Sequence, residues 1–478
     1  MKEIRKKSGD GAVNQLIVKA YRSQTELAWD RADAMQPQCG FGRLGICCTD
    51  CYEGPCRVNP FAESEQFSIC GRSRQDLTAS FFLKNAAGGA AALVNLATDF
   101  GADFDKAVLQ AVSYGGDVMV IPADCSSRYA QIGQTVVQAL SAVSGIKERS
   151  RSAVTAVNLG VLTAGSVNIL LHGHVSPKVT ALLEAAAARQ NYPVNFVGLC
   201  GGEASGKNPL PPVTNYDSQE TVLLTEAVDL LIVGTQCVMP AMLSLAGRLG
   251  VPVISAADVA DSTAADQGLL KAVAAFSRRA GKKPEIPEVT EKMTVGCYAS
   301  CEAILASLKR GYTKGTVKGI VYLGGCGNIT NTQDAALVKQ AQQLSNEGYY
   351  IVTAGCAGIA LAKAGMCQPG YSATWQTILP VDAAPVLYVG ACHDAGEFLL
   401  ISQAAKEQGL PVFAVLPEIT HSKMLATAIG FLTQGITTYA GIGEAASFPE
   451  ITLKGRLLPL SELRQLPQAL AEIAAGVK

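Results

Sequence analysis

At 478 residues the chain is longer than one hydrophobic core usually supports, so two or three domains are expected. Hydrophobic residues make up 49%, charged residues only 17%, and the mean hydropathy is +0.22, values that suit Ala/Gly-rich helices packed on buried parallel strands. A formal net charge of -1 gives no electrostatic reason to expect nucleic acid or an anionic membrane as partner, and no run of about 18 apolar residues suggests a membrane span. The basic start MKEIRKKSGDGAVNQ is not followed by an apolar export signal, so a cytoplasmic protein is expected. Its 15 cysteines then stand in a reducing compartment, where clustered thiols point to metal or redox chemistry.

Residues 1 to about 150 are predicted mostly helical: an initial segment, a cysteine-dense stretch from Cys39 to Cys70, and the Ala/Gly-rich helix FFLKNAAGGAAALVNLATDFG. After Arg151 short apolar runs (VNILLH, PVNFVGL, VDLLIVG, VPVISA) alternate with helical segments, the pattern of βαβ units and a parallel sheet. The charged, proline-containing SRRAGKKPEIPEVTEKM reads as a linker, and a second series follows it: KGIVYLGGC, GYYIVTAGC, APVLYVGAC and LPVFAVLPE. The expected fold class is therefore α/β, with a helical cluster-binding domain over 1–150 and two Rossmann-like, doubly wound α/β domains over 151–290 and 291–478. Strand carboxyl ends face the ligand crevice of an open α/β sheet, so Cys326, Cys356 and Cys392 are expected to converge on one site.

The segment CGFGRLGICCTDCYEGPCRVNPF, followed by SICG, carries Cys39, Cys47, Cys48, Cys51, Cys56 and Cys70. Cys-x2-Cys spacing also suits tetrahedral zinc, but the adjacent Cys47 and Cys48 favour two different centres, and the surrounding glycines let backbone amides approach cluster sulfurs. The stretch resembles the N-terminal motif of the anaerobic nickel-iron carbon monoxide dehydrogenases. That resemblance implies a 4Fe-4S cluster on Cys48, Cys51, Cys56 and Cys70 in each subunit. It also implies a second cluster, 4Fe-4S or 2Fe-2S, shared across a homodimer through Cys39 and Cys47.

Further matches run along the chain: LLHGHVSP with His172 and His174, TNYDSQE, GTQCVMP with Cys237, and the turns carrying Cys326, Cys356 and Cys392. In the family these turns surround a buried nickel-iron-sulfur cluster. His174 is assigned as the imidazole ligand, with His172 its rival because residues two apart on a strand share a face. PEITHSKMLATAIG matches the family's catalytic-lysine segment, so Lys423 is a candidate cation for charge building on a bound oxygen, the alternative being an exposed first-turn lysine. His421 and His393 are expected to be structural or to support ligands. Cys297 and Cys301, four apart, would share a helix face and are expected to pack in the core, the alternative being a metal or persulfide site, and Cys125 and Cys367 carry no assigned role.

Two departures from the family stand out. Where it has a Cys-Cys pair before TN-x-x-SQE, this chain reads FVGLCGGEAS, so Gly201 replaces a thiolate unless Cys200 swings over. Glu203, two residues on, could supply a hard oxygen donor as in the related hybrid-cluster proteins, or serve as a helix cap. On the Ala/Gly helix, Leu93 stands at the place of a proton-moving histidine, and leucine cannot move protons. The chain is also short for the family, mainly between that helix and the first βαβ unit. These departures lead to the expectation of an iron-sulfur-oxygen cluster reducing a small nitrogen-oxygen species such as hydroxylamine, with electrons from a ferredoxin-like partner. The alternatives are a true nickel-iron carbon monoxide dehydrogenase and a non-catalytic electron carrier or redox sensor.

Overall fold

The structure, a computed structural model, describes residues 6–114, 125–146, 153–201, 209–279, 281–296, 301–441, 451–460 and 465–476. The chain forms two compact units, Met1–Ala32 with Ser144–Leu410, and Asp33–Val143 with Pro411–Lys478. The composition shift near residue 150 thus falls close to one passage between units, whereas the initial segment belongs with the α/β part of the chain.

That placement follows from the first helix, Gly11–Arg22. Asp10 caps it by accepting from the Ala12 amide, and Ala12, Val13, Leu16 and Ala20 recur at helical spacing on one buried face. This face joins a core with Leu159, Leu170, Val197, Leu199 and Leu223. The loop before the helix is tied by a parallel bridge between Ser8 and Gln333 and by the Gly9 amide donating to the Gln333 carbonyl at 2.8 Å.

The first unit contains a four-stranded parallel sheet in the order Val194–Leu199, Val167–His172, Val228–Val233, Val253–Ser255. Central Val167–His172 is buried along its whole length, as an apolar strand covered on both faces must be. Strand order reverses between Val167–His172 and Val228–Val233, which opens the crevice of a doubly wound sheet at their carboxyl ends. Arg279, ending the helix Ser262–Arg279, grips the buried Asp229 in a fork (2.7 and 2.9 Å) and donates to the Ala164 and Ser166 carbonyls, pinning the opposite end of the sheet.

A second run of strands in this unit is ordered Gly319–Gly325, Tyr349–Thr353, Val386–Tyr388, Glu291–Val295, all parallel, with Ala153–Val157 added antiparallel at the edge. The strand following residue 150 therefore joins this later sheet, crossing the expected boundary at 290. In the second unit, Val412–Glu418, Thr437–Ala440 and Arg456–Pro459 are parallel, and Ile451–Thr452 closes antiparallel on the last.

The 26-residue helix Arg74–Asp99 starts at a capping box between Ser73 and Asp76. It is long and apolar enough to cross a membrane, but 61% of that window is buried and it packs on Ser422–Thr433. A Cβ at Gly89 would stand 2.1 Å from the Ser422 carbonyl oxygen, so this glycine permits the close crossing. Leu93 is buried on the same helix.

Candidate metal centre

Both histidines at the carboxyl end of Val167–His172 lie in the interior, but the backbone sends them different ways. Gly173 (φ +91°) and His174 (φ +66°) turn left-handed, so the expected shared face is lost at the strand end. His172 has both ring nitrogens taken: Nδ1 stands 3.1 Å from the Leu199 carbonyl and Nε2 2.8 Å from Gln219 Oε1. Burial pushes its imidazole pKa down, against the pull of the two oxygens, and the pair of contacts fixes the ring as a strut between Val194–Leu199 and Gln219. Gln219 also accepts from the Met239 amide at 2.9 Å and donates to the Cys237 carbonyl at 3.3 Å, which ties the TNYDSQE segment to the Cys237 turn.

His174 meets the cysteines instead. Its Nε2 is 3.6 Å from Cys237 Sγ and 3.7 Å from Cys392 Sγ. Cys200, at the end of Val194–Leu199, adopts φ +45° and brings its Sγ to 3.7 Å from Cys356 Sγ. Cys356 lies in the first turn of the helix Gly355–Lys363, and Gly355 (φ +60°) donates to the Gly390 carbonyl at 2.7 Å; a Cβ there would lie 2.8 Å from Cys392 Cβ. The two turns can be this close only because residue 355 has no side chain.

Cys326 is buried directly after the strand Gly319–Gly325, near Tyr216 and Tyr322. Burial pushes the Tyr216 phenol up to about 12, helped by the negative charge of Cys237, Cys200, Asp217 and Cys326. Burial likewise pushes Tyr322 up, with Cys392, Cys326 and Asp394 adding to it. The expected convergence of Cys326, Cys356 and Cys392 at the strand ends is thus joined by His174, Cys200 and Cys237.

At Gly201 (φ +98°) a Cβ would stand 2.3 Å from His174 Nδ1, so no side chain fits there with His174 in its present place. Cys200, the residue before Gly201, lies among the other thiols, and Glu203 lies outside the described residues. Five thiols and an imidazole form a soft donor set suited to iron-sulfur or nickel chemistry. Among the described residues no three His, Cys, Asp or Glu side chains close on a single ion. Close pairs that do not converge on one point fit a polynuclear cluster with bridging sulfides better than a mononuclear tetrahedral zinc.

In the second unit, Cys47–Cys48 pairs antiparallel with Cys56–Arg57, and Cys48 stands opposite Cys56. Gly54 sits inside this loop, where a Cβ would meet the Cys56 amide nitrogen at 3.0 Å and the Cys48 carbonyl at 3.2 Å. Asp50 is held below the usual carboxylate range against its burial by Lys84 at 2.6 Å and Arg72 at 2.8 Å. Ser68 Oγ, 3.3 Å from Cys70 Sγ, pulls the Cys70 thiol down, and the Gly42 and Phe41 amides do the same for Cys39. Burial pushes Cys48 up. Cys39, Cys51 and Cys70 are exposed, as are the nearby Tyr52, Phe61, Phe67 and Ile69.

Lys423 is buried on the helix Ser422–Thr433, so the alternative of an exposed first-turn lysine is set aside. Burial and the Lys423 charge push His421 down to about 4. Cys367 and Cys125 are buried, and burial raises the Cys367 thiol, as expected of inert core thiols. Cys301 is disulfide-bonded rather than a simple core thiol, and Cys297 lies outside the described residues. His393, beside Cys392, contacts His174; a histidine directly following a candidate ligand in VGACHD was the available signal for it.

Residues 127–450 match the family model described as Prismane/CO dehydrogenase family. The carbon monoxide dehydrogenase 2 of Carboxydothermus hydrogenoformans is 27% identical, over 98% of this chain and 94% of that protein. The carbon monoxide dehydrogenase of Rhodospirillum rubrum is 26% identical over 91% and 90%. Among solved structures, carbon monoxide dehydrogenase IV from Carboxydothermus hydrogenoformans superposes with a TM-score of 0.86 at 22% identity, covering 98% of this chain and 99% of that one, a likeness of fold. With the cysteine constellation, these matches make the chain an iron-sulfur oxidoreductase that belongs to the Prismane/CO dehydrogenase family.

Proposed function

We propose that His174, Cys200, Cys237, Cys326, Cys356 and Cys392 hold a nickel-iron-sulfur cluster and that the chain interconverts carbon monoxide and carbon dioxide, CO + H2O to CO2 with two electrons and two protons released. The observation that carries this is Cys200 Sγ at 3.7 Å from Cys356 Sγ, a soft donor recruited where Gly201 offers none. A cluster bound there supplies the metal that binds the carbon oxide and accepts the electron pair. The chain's own residues bury the site, fix the ligand turns through His172 and Gln219, and present sulfur and one imidazole nitrogen.

In this proposal Cys48, Cys51, Cys56 and Cys70 would hold a 4Fe-4S cluster, Cys39 and Cys47 would share a second cluster with another copy of the chain, and these groups would supply the electron relay. The exposed Cys39 and the apolar Tyr52, Phe61, Phe67 and Ile69 support such a homodimer contact. A ferredoxin-like electron partner, a cytoplasmic location and a charge-stabilising role for Lys423 belong to the same proposal.

A second reading, an iron-sulfur-oxygen cluster with Glu203 as ligand that reduces hydroxylamine, is favoured by Gly201 and Leu93, which lack the thiolate and imidazole of the family's pattern. Anaerobic purification from nickel-supplemented cells, elemental analysis and paired assays separate the two. Stoichiometric nickel with CO-dependent dye reduction supports the first. Iron without nickel and hydroxylamine-dependent oxidation of reduced dye replaces it by the second, and reversible cluster reduction with neither turnover leaves an electron carrier.

A further inference from the structure

We propose that His393 is a positioning residue for this centre: it holds the His174 ring so that Nε2 faces the metal and Nδ1 fills the space a side chain at 201 would need. The inference deepens the proposed function and rests on His174 being a ligand. His174 Nδ1 and His393 Nδ1 are 2.7 Å apart, with ring centroids at 4.9 Å and planes tilted by 59°. Both rings are buried. Two imidazole nitrogens at hydrogen-bond distance require one donor and one acceptor.

A metal-binding nitrogen carries no proton, so a His174 that offers Nε2 toward Cys237 and Cys392 keeps its proton on Nδ1 and donates it to His393. His393 then has its own proton on Nε2, which stands 3.9 Å from Asp394 Oδ2, near enough for electrostatic attraction but not for a direct hydrogen bond. Asp394 is itself fixed by accepting from the Ala391 amide at 2.8 Å, and a Cβ on Gly390 would stand 2.3 Å from its Oδ2. Ala391, His393 and Asp394 flank Cys392, so one turn delivers a sulfur donor and orients the imidazole donor.

This contact also accounts for Gly201. The hypothetical Cβ at 201 stands 2.3 Å from His174 Nδ1 and 2.6 Å from its Cγ, on the atom that His393 holds. While that bond lasts the ring cannot retreat. Glycine at 201 and histidine at 393 are therefore a matched pair, and a side chain restored at 201 alone displaces His174.

The test compares anaerobically purified His393→Ala, His393→Asn, Gly201→Ala, the double variant Gly201→Ala/His393→Ala, and His174→Ala. Readouts are site metal retained against a chelator and the electron paramagnetic resonance spectrum, with the signals of the N-terminal clusters reporting a folded chain. His393→Ala is expected to weaken metal retention about 10- to 100-fold and change the centre's spectrum, and His393→Asn, whose amide oxygen can accept from His174, to recover most of it. Gly201→Ala is expected to perturb the spectrum, with His393→Ala adding less in that background than alone. Wild-type retention and spectrum in His393→Ala, with both lost in His174→Ala, overturn the inference and spare the proposed centre. An unaltered His174→Ala overturns the proposed centre itself.

Discussion

Replacing Lys363 by methionine tests how the first unit anchors the turns of the centre. Lys363, at the far end of the helix whose first turn holds Cys356, lies 2.6 Å from Asp334 Oδ2 and 3.2 Å from Asp10 Oδ2, all three buried. Burial opposes its charge, but the two carboxylates outweigh that and raise its pKa. Asp334 also accepts from Asn215 Nδ2 at 2.5 Å, and Asp10 caps the first helix, so the cation joins the N-terminal segment, the TNYDSQE segment and the loop after Cys326. Lys363→Met keeps the volume and strands two buried carboxylates. Removing one partner of a buried ion network costs about 3–5 kcal/mol. At roughly 2 °C per kcal/mol for a unit of this size, scanning calorimetry at neutral pH should show a fall of about 5–10 °C. Lys363→Met combined with Asp10→Asn and Asp334→Asn should recover most of the deficit. A shift below about 2 °C in Lys363→Met would refute the reasoning, because the network would then carry no net stability.

Cys200→Ala should lower metal at the buried centre while leaving the signals of the N-terminal clusters, measured by iron content and paramagnetic resonance; unchanged metal would show that Cys200 is not a donor. Adjacent helix glycines should respond with opposite signs. Gly88→Ala, exposed with open space around its Cβ, should stabilise by about 0.5–1 kcal/mol, and Gly89→Ala, 2.1 Å from the Ser422 oxygen, should destabilise by about 1–3 kcal/mol. Equal effects in thermal melts would contradict the close crossing. His421, depressed from 6.5 to about 4, takes up protons more readily when unfolded. Its contribution is complete above pH 6.5 and is lost as pH falls toward 4, up to about 3 kcal/mol. His421→Gln should therefore flatten the acid side of the melting profile, and an unchanged slope would count against this.

Strand-end cysteines were legible because apolar runs ending in Gly-x-Cys or Gly-Cys state both the strand and its ligand-facing end; Cys326, Cys356 and Cys392 followed from that alone. His174 was assigned over His172 from the family resemblance and not from strand geometry, because the left-handed turn at Gly173 and His174 breaks the alternation that a strand would impose. Membership of a sheet was not legible for Ala153–Val157, whose partner Glu291–Val295 lies far along the chain, nor for the first helix, whose apolar face states that it is buried but not against what. The Lys363 network and the His174–His393 contact join residues hundreds of positions apart, and no local pattern encodes them.

The most direct measurement is anomalous scattering from crystals of anaerobically purified protein, at the iron and nickel edges. The account predicts one polynuclear site enclosed by His174, Cys200, Cys237, Cys326, Cys356 and Cys392, iron throughout with a nickel peak. A single zinc, or iron density that leaves Cys200 and His174 unbound, would contradict it.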